Sequence, residues 1–134
     1  MSKRILITGA LGHIGSKLIH LIKPGEFEEV RMVDNLSTQR YVSLFNLPEG
    51  VNFTFIENDI LDADMMAITK DMDAVIHLAA ITDAPSSFKR REEVELVNYQ
   101  GTNRVAQACI ENGARLLFPI DIPWQTNILP NGSR

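Results

Sequence analysis

RILITGALGHIG, residues 4–15, joins a short apolar run to a glycine-rich loop. The run at 4–7 predicts a β-strand that stops at Thr8-Gly9. The residues after the loop predict a helix that ends at Pro24-Gly25, because their apolar side chains recur at helical spacing. Those side chains are Ile14, Leu18, Leu21 and Ile22. The sequence therefore begins with a strand, a glycine loop and a helix.

Strand-like and helix-like segments alternate along the rest of the chain. The further strand-like runs are residues 30–33, 51–56, 74–80 and 115–118. The helical patterns are a weak one at 38–47, one at 63–69 with Asp62 as its expected cap, and a long one at 91–112 before Gly113. This alternation predicts an α/β fold, a doubly wound parallel sheet of about five strands in the order 3-2-1-4-5.

The composition is that of one globular domain. The chain has 134 residues, of which 45% are hydrophobic and 22% are charged. Its net charge of −4 argues against nucleic-acid binding or a general anionic-membrane surface, whose footprint would be basic. The longest nearly apolar run, residues 74–81, is too short to span a membrane, and no signal-peptide pattern precedes residue 10.

Cysteine and histidine usage exclude further classes of site. Cys109 is the single cysteine, so an internal disulfide and a site with several thiolate ligands are excluded. A reducing, cytoplasmic location is the simplest expectation. The three histidines, His13, His20 and His77, lack the spacing of a metal site, and we expect no bound metal.

Each glycine of the loop has a physical reason for its position. Gly9 allows a tight turn out of the strand, Gly12 leaves room for a pyrophosphate beside the backbone, and Gly15 allows the helix to pack closely on the sheet. The start of the helix adds unpaired N–H groups and the positive end of its dipole. The pattern predicts dinucleotide binding, although strand-to-helix turns also use glycine without a ligand.

An acidic residue stands where such a site needs one. Asp34 follows Gly12 by 22 positions and ends the second strand-like run. A carboxylate there would accept hydrogen bonds from the hydroxyls of the adenosine ribose and repel a 2′-phosphate, which favours NAD over NADP. The alternative is that Asp34 serves only as a turn or helix-cap residue.

Five motifs carry a family resemblance: TGALGHIG at 8–15, DNLST at 34–38, DI at 59–60, HLAA at 77–80 and NYQGT at 98–102. Together they resemble the extended short-chain dehydrogenases/reductases, in the NAD-dependent epimerase/dehydratase branch that acts on nucleotide sugars. The likeness covers about residues 3–119 and implies NAD as the cofactor. The residues it implies for NAD binding are Gly9, Gly12, His13, Ile14, Gly15, Asp34, Asn35, Ser37, Asp59, Ile60, Leu78, Ala79, Ala80 and Asn98.

The resemblance also implies what several side chains do. Asp59 would meet the adenine amino group, Ile60 would pack on the adenine ring, and small residues after His77 would let the backbone lie against the cofactor. Plainer interpretations stay open: Asp59 as a turn residue, Asn98 as a solvated or capping side chain, and His77 as a core histidine with its hydrogen bonds satisfied. His13 stands where the family more usually has an aromatic or apolar residue, and it could still cover the pyrophosphate.

The resemblance stops after residue 119. The family's catalytic tyrosine is followed four positions later by a lysine, whereas Tyr41 and Tyr99 are followed by Phe45 and Asn103. We therefore expect no catalytic residue in this chain, an NAD-binding domain at 1–119 and a divergent tail at 120–134. Three hypotheses follow: a truncated or frame-shifted relative of a full enzyme, a stand-alone regulatory NAD-binding module, or an interaction fragment with an unused pocket.

Partners follow from the same resemblance. A nucleotide-sugar substrate is expected only in a full-length relative, whereas NAD binding is expected here. Family members commonly dimerise through the long helix, so we expect a homodimer or an association-prone monomer through residues 91–112. Val94, Val97, Val105 and Ala108 fall roughly along one face of that helix, which we expect to lie against the sheet.

Overall fold

A computed structural model describes residues 3–37, 41–79 and 88–119 of the chain. The strands are β1 (Arg4–Thr8), β2 (Glu29–Asp34), β3 (Phe53–Glu57), β4 (Ala74–His77) and β5 (Arg115–Leu117). The α-helices are α1 (His13–Leu21), α2 (Met65–Ile68) and α3 (Phe88–Asn112), and a single 3₁₀ turn covers Tyr41–Leu44. Strands and helices alternate in the described part of the chain, as the sequence predicts.

The five strands form one parallel sheet in the order β3-β2-β1-β4-β5, which confirms the predicted fold and strand order. Strand β1 lies at the centre. Its last residue, Thr8, is in register with Val33 of β2 on one side and His77 of β4 on the other. The loop after β1 therefore leaves the sheet between the ends of two neighbouring strands, where parallel α/β sheets bind their ligands.

Two hydrophobic clusters cover the two faces of the sheet. On one face, Leu6 and Val75 pack with Val105 and Ala108 of α3; on the other, strand side chains pack with Ile19 of α1. Alternate residues of β1 point to opposite faces, which is why a continuous apolar run suits this strand. Each fully buried side chain of this size stabilises the fold by about 1.5–3 kcal/mol.

The long helix lies as predicted at its carboxyl end and begins three residues earlier than predicted. It ends at Asn112, and Gly113 follows with φ +71°, a left-handed conformation that glycine adopts without strain. The N–H of Ala114 donates to the carbonyl of Cys109 at 2.9 Å and so closes the last turn. Val105 and Ala108 are buried against the sheet as expected, while Val94 and Val97 are half-buried.

Two local predictions about helices are wrong. The weak helix at 38–47 is a 3₁₀ turn in its described part, 41–44. The cap of α2 is Asp64, whose carboxylate accepts from Ala67 N at 3.2 Å, not Asp62. The reason is that the N–H groups of residues 62 and 63 donate to the carbonyl of Asp59, so the chain is still in a turn there.

Strand β4 is also shorter than the predicted run at 74–80. It ends at His77. The N–H of Leu78 still donates to the Thr8 carbonyl at 3.0 Å but is shared with the Thr8 hydroxyl, and the N–H of Ala79 bonds to that hydroxyl. This departure from the ladder shapes the site described next.

Candidate functional site

The turn out of β1 is fixed by Gly9. Its φ is +64°, and its N–H donates to the carbonyl of Val33 at 2.8 Å. A Cβ at this position would lie 2.6 Å from the backbone nitrogen of Ala79. Gly9 thus serves two purposes, because it supplies a left-handed turn and lets the segment after β4 approach the loop.

The other two loop glycines differ in what surrounds them. A Cβ on Gly12, whose φ is −74°, would meet only the Gly9 carbonyl oxygen, at 3.3 Å. A Cβ on Gly15 would lie 2.5 Å from the carbonyl oxygen of Ala10. The close approach at Gly15 is therefore to the loop's own carbonyls, whereas the sequence argument placed it against the sheet.

Helix α1 begins directly after Gly12, which offers no side chain to cap it. The backbone N–H groups of the first helical turn and the positive end of the helix dipole therefore lie beside the glycine loop. Ile14, in that first turn, is 61% exposed, and His13 is exposed as well. This is an arrangement that suits a phosphate group.

Asp34 connects the end of β2 to the glycine loop. It is only 8% exposed, and its Oδ2 accepts from Leu11 N at 3.0 Å while Oδ1 accepts from Leu36 N at 2.8 Å. Asp34 therefore stabilises both the turn after β2 and the glycine loop. An ionised carboxylate has about four acceptor positions, so two bonds leave capacity for hydroxyl donors.

The ends of β2 and β3 are joined by side-chain hydrogen bonds. The Nδ2 of Asn35 donates to Asp59 Oδ2 at 3.3 Å, and the Oδ1 of Asn35 accepts from Ser37 N at 2.9 Å. The other oxygen of Asp59 accepts from Leu61 N at 2.9 Å, so Asp59 is a turn residue too. The structure brings Asp34, Asn35 and Asp59 to one edge of the sheet.

The side chain of Ile60, the residue after Asp59, belongs to the core cluster under α3. It is 9% exposed, and a Cβ on Gly101 of α3 would lie 2.8 Å from its Cδ1. Arg104, one turn further along α3, donates to the carbonyls of Ile60 at 2.8 Å and Ala63 at 2.6 Å. Helix α3 thus holds the turn after β3 in place, and the accessible side chain of the Asp59-Ile60 pair is the half-buried Asp59.

A chain of hydrogen bonds runs from β1 through β4 to α3. Thr8 Oγ1 lies 2.7 Å from His77 Nδ1, and His77 Nε2 lies 3.2 Å from Thr102 Oγ1. His77 is 5% exposed, and burial lowers its pKa below the ordinary value of 6.5. His77 is accordingly a core histidine with its hydrogen bonds satisfied, which was the plainer of the two interpretations.

The remaining predicted residues are placed as follows. Leu78 and Ala79 are half-buried beside Gly9, Asn98 is half-buried on α3, and Ser37 is exposed. Ala80 lies outside the described residues. Sequence reasoning did not single out Thr8, Thr102 or Arg104 as supports of the site, although the first two occupy positions in the quoted motifs.

Large apolar side chains are exposed on the other side of α3. Leu96, Tyr99 and Ile110 are 57%, 65% and 75% exposed. They are spaced so that they share one helical face, and Leu117 and Phe118 at the end of β5 are about half exposed. The three α3 residues Leu96, Tyr99 and Ile110 are called the outer face below. Leu117 points to the other side of the sheet, because its neighbour Leu116 packs in the cluster under α3.

The residues that the structure describes offer neither a metal-binding cluster nor a helix suited to crossing a membrane. Within them, no group of three or more His, Cys, Asp or Glu residues is arranged to hold a metal ion. Nor does any helix among residues 3–37, 41–79 and 88–119 combine the length and apolar character needed to cross a membrane. Burial raises the pKa of the Cys109 thiol, which stays protonated in the core.

Comparison with known proteins gives one family and a consistent group of relatives. The model of the 3-beta hydroxysteroid dehydrogenase/isomerase family matches residues 6–119. A UDP-N-acetyl-alpha-D-glucosaminuronate decarboxylase of Bacillus cytotoxicus is 33% identical over 120 residues, which are 88% of this chain and 36% of that protein. The chain thus spans about a third of the length of this relative.

Solved structures agree with the sequence comparison. UDP-N-acetylglucosamine 4-epimerase from Methanobrevibacter ruminantium, solved with UDP-N-acetylmuramic acid, matches with a TM-score of 0.71 and 33% identity, over 84% of this chain and 36% of that one. UDP-glucuronic acid 4-epimerase from Bacillus cereus, solved with NAD, matches with a TM-score of 0.69 and 28% identity, over 86% and 39%. The shared part is the fold described above.

Proposed function

The chain belongs to the 3-beta hydroxysteroid dehydrogenase/isomerase family, among the extended short-chain dehydrogenases/reductases that include the NAD-dependent epimerases and dehydratases. We propose that it is the NAD-binding part of such an enzyme acting on nucleotide sugars. One observation carries the proposal: the Asp34 carboxylate, at the end of β2, is bonded to Leu11 N of the glycine loop at 3.0 Å. This bond supports the proposal, because it holds a carboxylate suited to a ribose beside a loop suited to a phosphate.

The residues present fit a dinucleotide. The position of a Cβ on Gly12 is open apart from one carbonyl oxygen at 3.3 Å, which leaves the backbone approachable by a pyrophosphate. The first turn of α1 supplies N–H groups, and His13 and Ile14 lie exposed in that turn. Asp34 would hold the adenosine ribose, and Asp59, steadied by Asn35, would meet the adenine amino group.

The chemistry of the bound cofactor is separate from what this chain does. Nicotinamide supplies a site that accepts and returns a hydride. The residues described here bind and orient the adenosine and pyrophosphate end. Neither tyrosine of the sequence is followed by a lysine four residues later, so we assign the proton transfer of catalysis to no residue in it.

The substrate class comes from the relatives. The decarboxylase and both epimerases act on UDP-linked sugars by their names, and we extend that class to the enzyme type of this chain. These relatives do not favour the stand-alone regulatory module. We keep residues 1–119 as the NAD-binding unit, 120–134 as a separate tail outside the described residues, and the cytoplasm as the location.

Association through α3 is the finer part of the proposal. Leu96, Tyr99 and Ile110 present exposed apolar area on one helical face. Apolar patches of this kind are often covered by a partner, so we propose that two copies of the chain associate through the outer face. Such association would leave the contacts inside the chain unchanged, because Val105 and Ala108 of the same helix are buried in the core.

Calorimetric titration of the full chain with ADP-ribose, NAD and NADP tests the proposed function. We expect measurable binding of ADP-ribose and NAD below about 1 mM, weaker binding of NADP, and little difference between NAD and NADH. The Gly12→Ala variant should fold with a stability loss below about 1 kcal/mol and bind at least about tenfold more weakly, because its new methyl group occupies the pyrophosphate's approach. Absence of heat with ADP-ribose at millimolar concentration would refute the proposal.

A further inference from the structure

Three nitrogen atoms surround the hydroxyl oxygen of Thr8 and determine the direction in which its hydrogen points. Its oxygen accepts from Leu78 N at 3.1 Å and from Ala79 N at 3.2 Å, and His77 Nδ1 lies 2.7 Å away. A threonine hydroxyl has two lone pairs and one hydrogen. Two N–H groups occupy the lone pairs, so the hydroxyl hydrogen is the one left for Nδ1.

This assignment determines the protonation of the imidazole. A nitrogen that accepts from Thr8 carries no hydrogen, and a neutral ring must then carry it on Nε2. Nε2 lies 3.2 Å from Thr102 Oγ1, which accepts that hydrogen. A protonated Nδ1 would instead point its hydrogen at an oxygen whose lone pairs are already engaged, and the hydroxyl would have to give up the Ala79 N–H or its share of the Leu78 N–H.

The segment held by these bonds is part of the nucleotide site. Leu78 and Ala79 follow β4, and the backbone of Ala79 passes so close to Gly9 that a Cβ there would lie 2.6 Å from its nitrogen. Leu78 N also donates to the backbone carbonyl of Thr8 at 3.0 Å. Bonds to Thr8 therefore determine how the end of β4 lies against the glycine loop.

We propose that His77 is a positioning residue, held as the neutral Nε2–H tautomer between Thr8 and Thr102, and that it orients the Thr8 hydroxyl to fix Leu78 and Ala79 against the glycine loop. The inference rests on the proposed function only in that the loop is taken as the nucleotide site. His77 itself touches no ligand in this account. It acts through the hydroxyl of Thr8, and Thr102 ties the ring to α3.

The first test is the state of the ring in the full, ¹⁵N-labelled chain without ligand. Long-range ¹H–¹⁵N correlation at neutral pH should show His77 with an unprotonated Nδ1 and a protonated Nε2. A slowly exchanging hydroxyl proton of Thr8 should accompany it. A ring protonated at Nδ1, or at both nitrogens, would overturn the proposal, and this measurement needs no variant and no binding of NAD.

The second test uses paired substitutions. His77→Asn places an amide oxygen near the position of Nδ1 and should keep the bond to Thr8, whereas His77→Leu cannot. Amide exchange of Ala79 should be about tenfold faster in His77→Leu than in the wild-type chain and within about twofold of it in His77→Asn. Thr8→Val, which loses the hydroxyl, should likewise speed the amide exchange of Ala79, and Thr8→Ser, which keeps it, should not.

A matched control separates positioning from general stability. Thr69 is also a buried threonine, and its hydroxyl bonds to Met65 O at 2.7 Å, near the opposite end of the sheet. Thr69→Val should lower stability without a selective effect on Ala79. Equal exchange of Ala79 in His77→Leu and Thr69→Val at equal stability would contradict the proposal.

ADP-ribose affinity then separates this inference from the proposed function. If the chain binds ADP-ribose, His77→Leu should weaken binding about tenfold and His77→Asn should restore it. If the wild-type chain binds none, the proposed function fails, and the ring tautomer and the Ala79 exchange still decide the role of His77. Should His77→Leu not fold, the ring measurement on the wild-type chain decides alone.

Discussion

The carboxyl edge of the sheet and the outer face of α3 differ in which side chains they bury: the edge buries polar groups, and the outer face exposes apolar ones. At the edge, the polar groups of Thr8, Asp34 and His77 are buried, and each has hydrogen-bond partners. On the outer face, Tyr99 and Ile110 are 65% and 75% exposed. Among the described residues, no buried side-chain nitrogen or oxygen lacks a hydrogen-bond partner. The unusual feature of the structure is therefore its exposed apolar side chains.

The comparison distinguishes a polar edge whose hydrogen bonds are complete within one chain from an apolar surface that stays exposed and is available for contact. The edge is built from β1, β2, β3, β4, α1 and α3 of a single chain, and the nucleotide site that we propose there draws no residue from a second copy. The outer face exposes apolar area that a single copy does not bury. Variants at the edge should therefore alter folding or binding, and variants on the outer face should alter association.

The largest effect should come from Gly9, where turn and packing coincide. Gly9→Ala adds a Cβ 2.6 Å from the backbone of Ala79 at a φ of +64°. We expect a loss of about 3–4 kcal/mol in the free energy of unfolding, measured by denaturant titration. Gly113→Ala is the matched control, because its φ is +71° with open space around the added Cβ, and it should lose only about 1 kcal/mol. Equal losses in the two variants would show that the contact with Ala79 carries no weight.

Asp34 should have the next largest effect, on binding. Asp34→Asn keeps one of the two oxygens that accept backbone N–H groups, replaces the other with an NH2 group and loses the negative charge. We expect about tenfold to thirtyfold weaker binding of ADP-ribose and NAD by calorimetry. The preference should also move toward NADP, since repulsion of the 2′-phosphate is removed. Asp62→Asn, at an exposed carboxylate, is the control and should leave both unchanged. An unaltered affinity in Asp34→Asn would remove the ribose acceptor from the account.

Acid should act on the edge before it acts on the rest of the fold. Burial lowers the pKa of His77 below 6.5, so the unfolded chain binds the proton more readily than the folded one. Stability present above pH 6.5 is therefore lost as the pH falls through and below that value. His77→Asn should remove this part of the pH profile in denaturant titrations. A wild-type profile that is flat from neutrality to pH 5, or the same slope in His77→Asn, would contradict the assignment.

Glu29 is a second group whose titration should contribute to the dependence of stability on pH. Burial raises the pKa of its carboxyl, but the hydrogen bond and charge of Arg31, with smaller help from Thr54 and Arg4, outweigh burial and lower it below 4.5. Its stabilising contribution is therefore present above pH 4.5 and is lost only as the pH falls below that. The two acid steps should be separate, and only the upper one should depend on His77.

The smallest effect on stability should come from the outer face. Leu96→Lys combined with Ile110→Lys changes two exposed side chains, so the free energy of unfolding should move by less than about 0.5 kcal/mol. Association should nevertheless fall, because charge replaces apolar area, and sedimentation of concentrated protein should show a larger monomer fraction. Lys17→Glu, an exposed charge change on α1, serves as the control. A wild-type chain that is monomeric at every concentration would refute association through this face.

The strand order could be predicted because it depends on local patterns and general rules. Continuous apolar runs alternate with helical ones, and parallel crossovers then lead to the order 3-2-1-4-5. The positions of the loop glycines and of Asp34 at the strand ends could also be predicted, because short spacings along the sequence determine them. The bounds of α2 were not, since they depend on how the turn at Asp59 bonds to its own backbone.

The supporting contacts could not be predicted for a different reason. Thr8 and His77 are 69 residues apart in the sequence, and Arg104 reaches back 44 residues to Ile60. Periodicity and propensity describe residues that are close in the sequence, so they cannot predict contacts between residues this far apart. The core position of Ile60 likewise follows from the missing side chain of Gly101, which only the packing of α3 reveals.

We propose that the carboxyl edge of the sheet alone forms the nucleotide site. The most direct measurement is a ¹H–¹⁵N chemical-shift map of the full chain during titration with ADP-ribose. We predict saturable shifts at Gly9, Gly12, Asp34 and Asp59 and none on the exposed side of α3 at Tyr99 and Ile110. Shifts centred on the outer face, or no shifts at a millimolar concentration of ADP-ribose, would contradict the account.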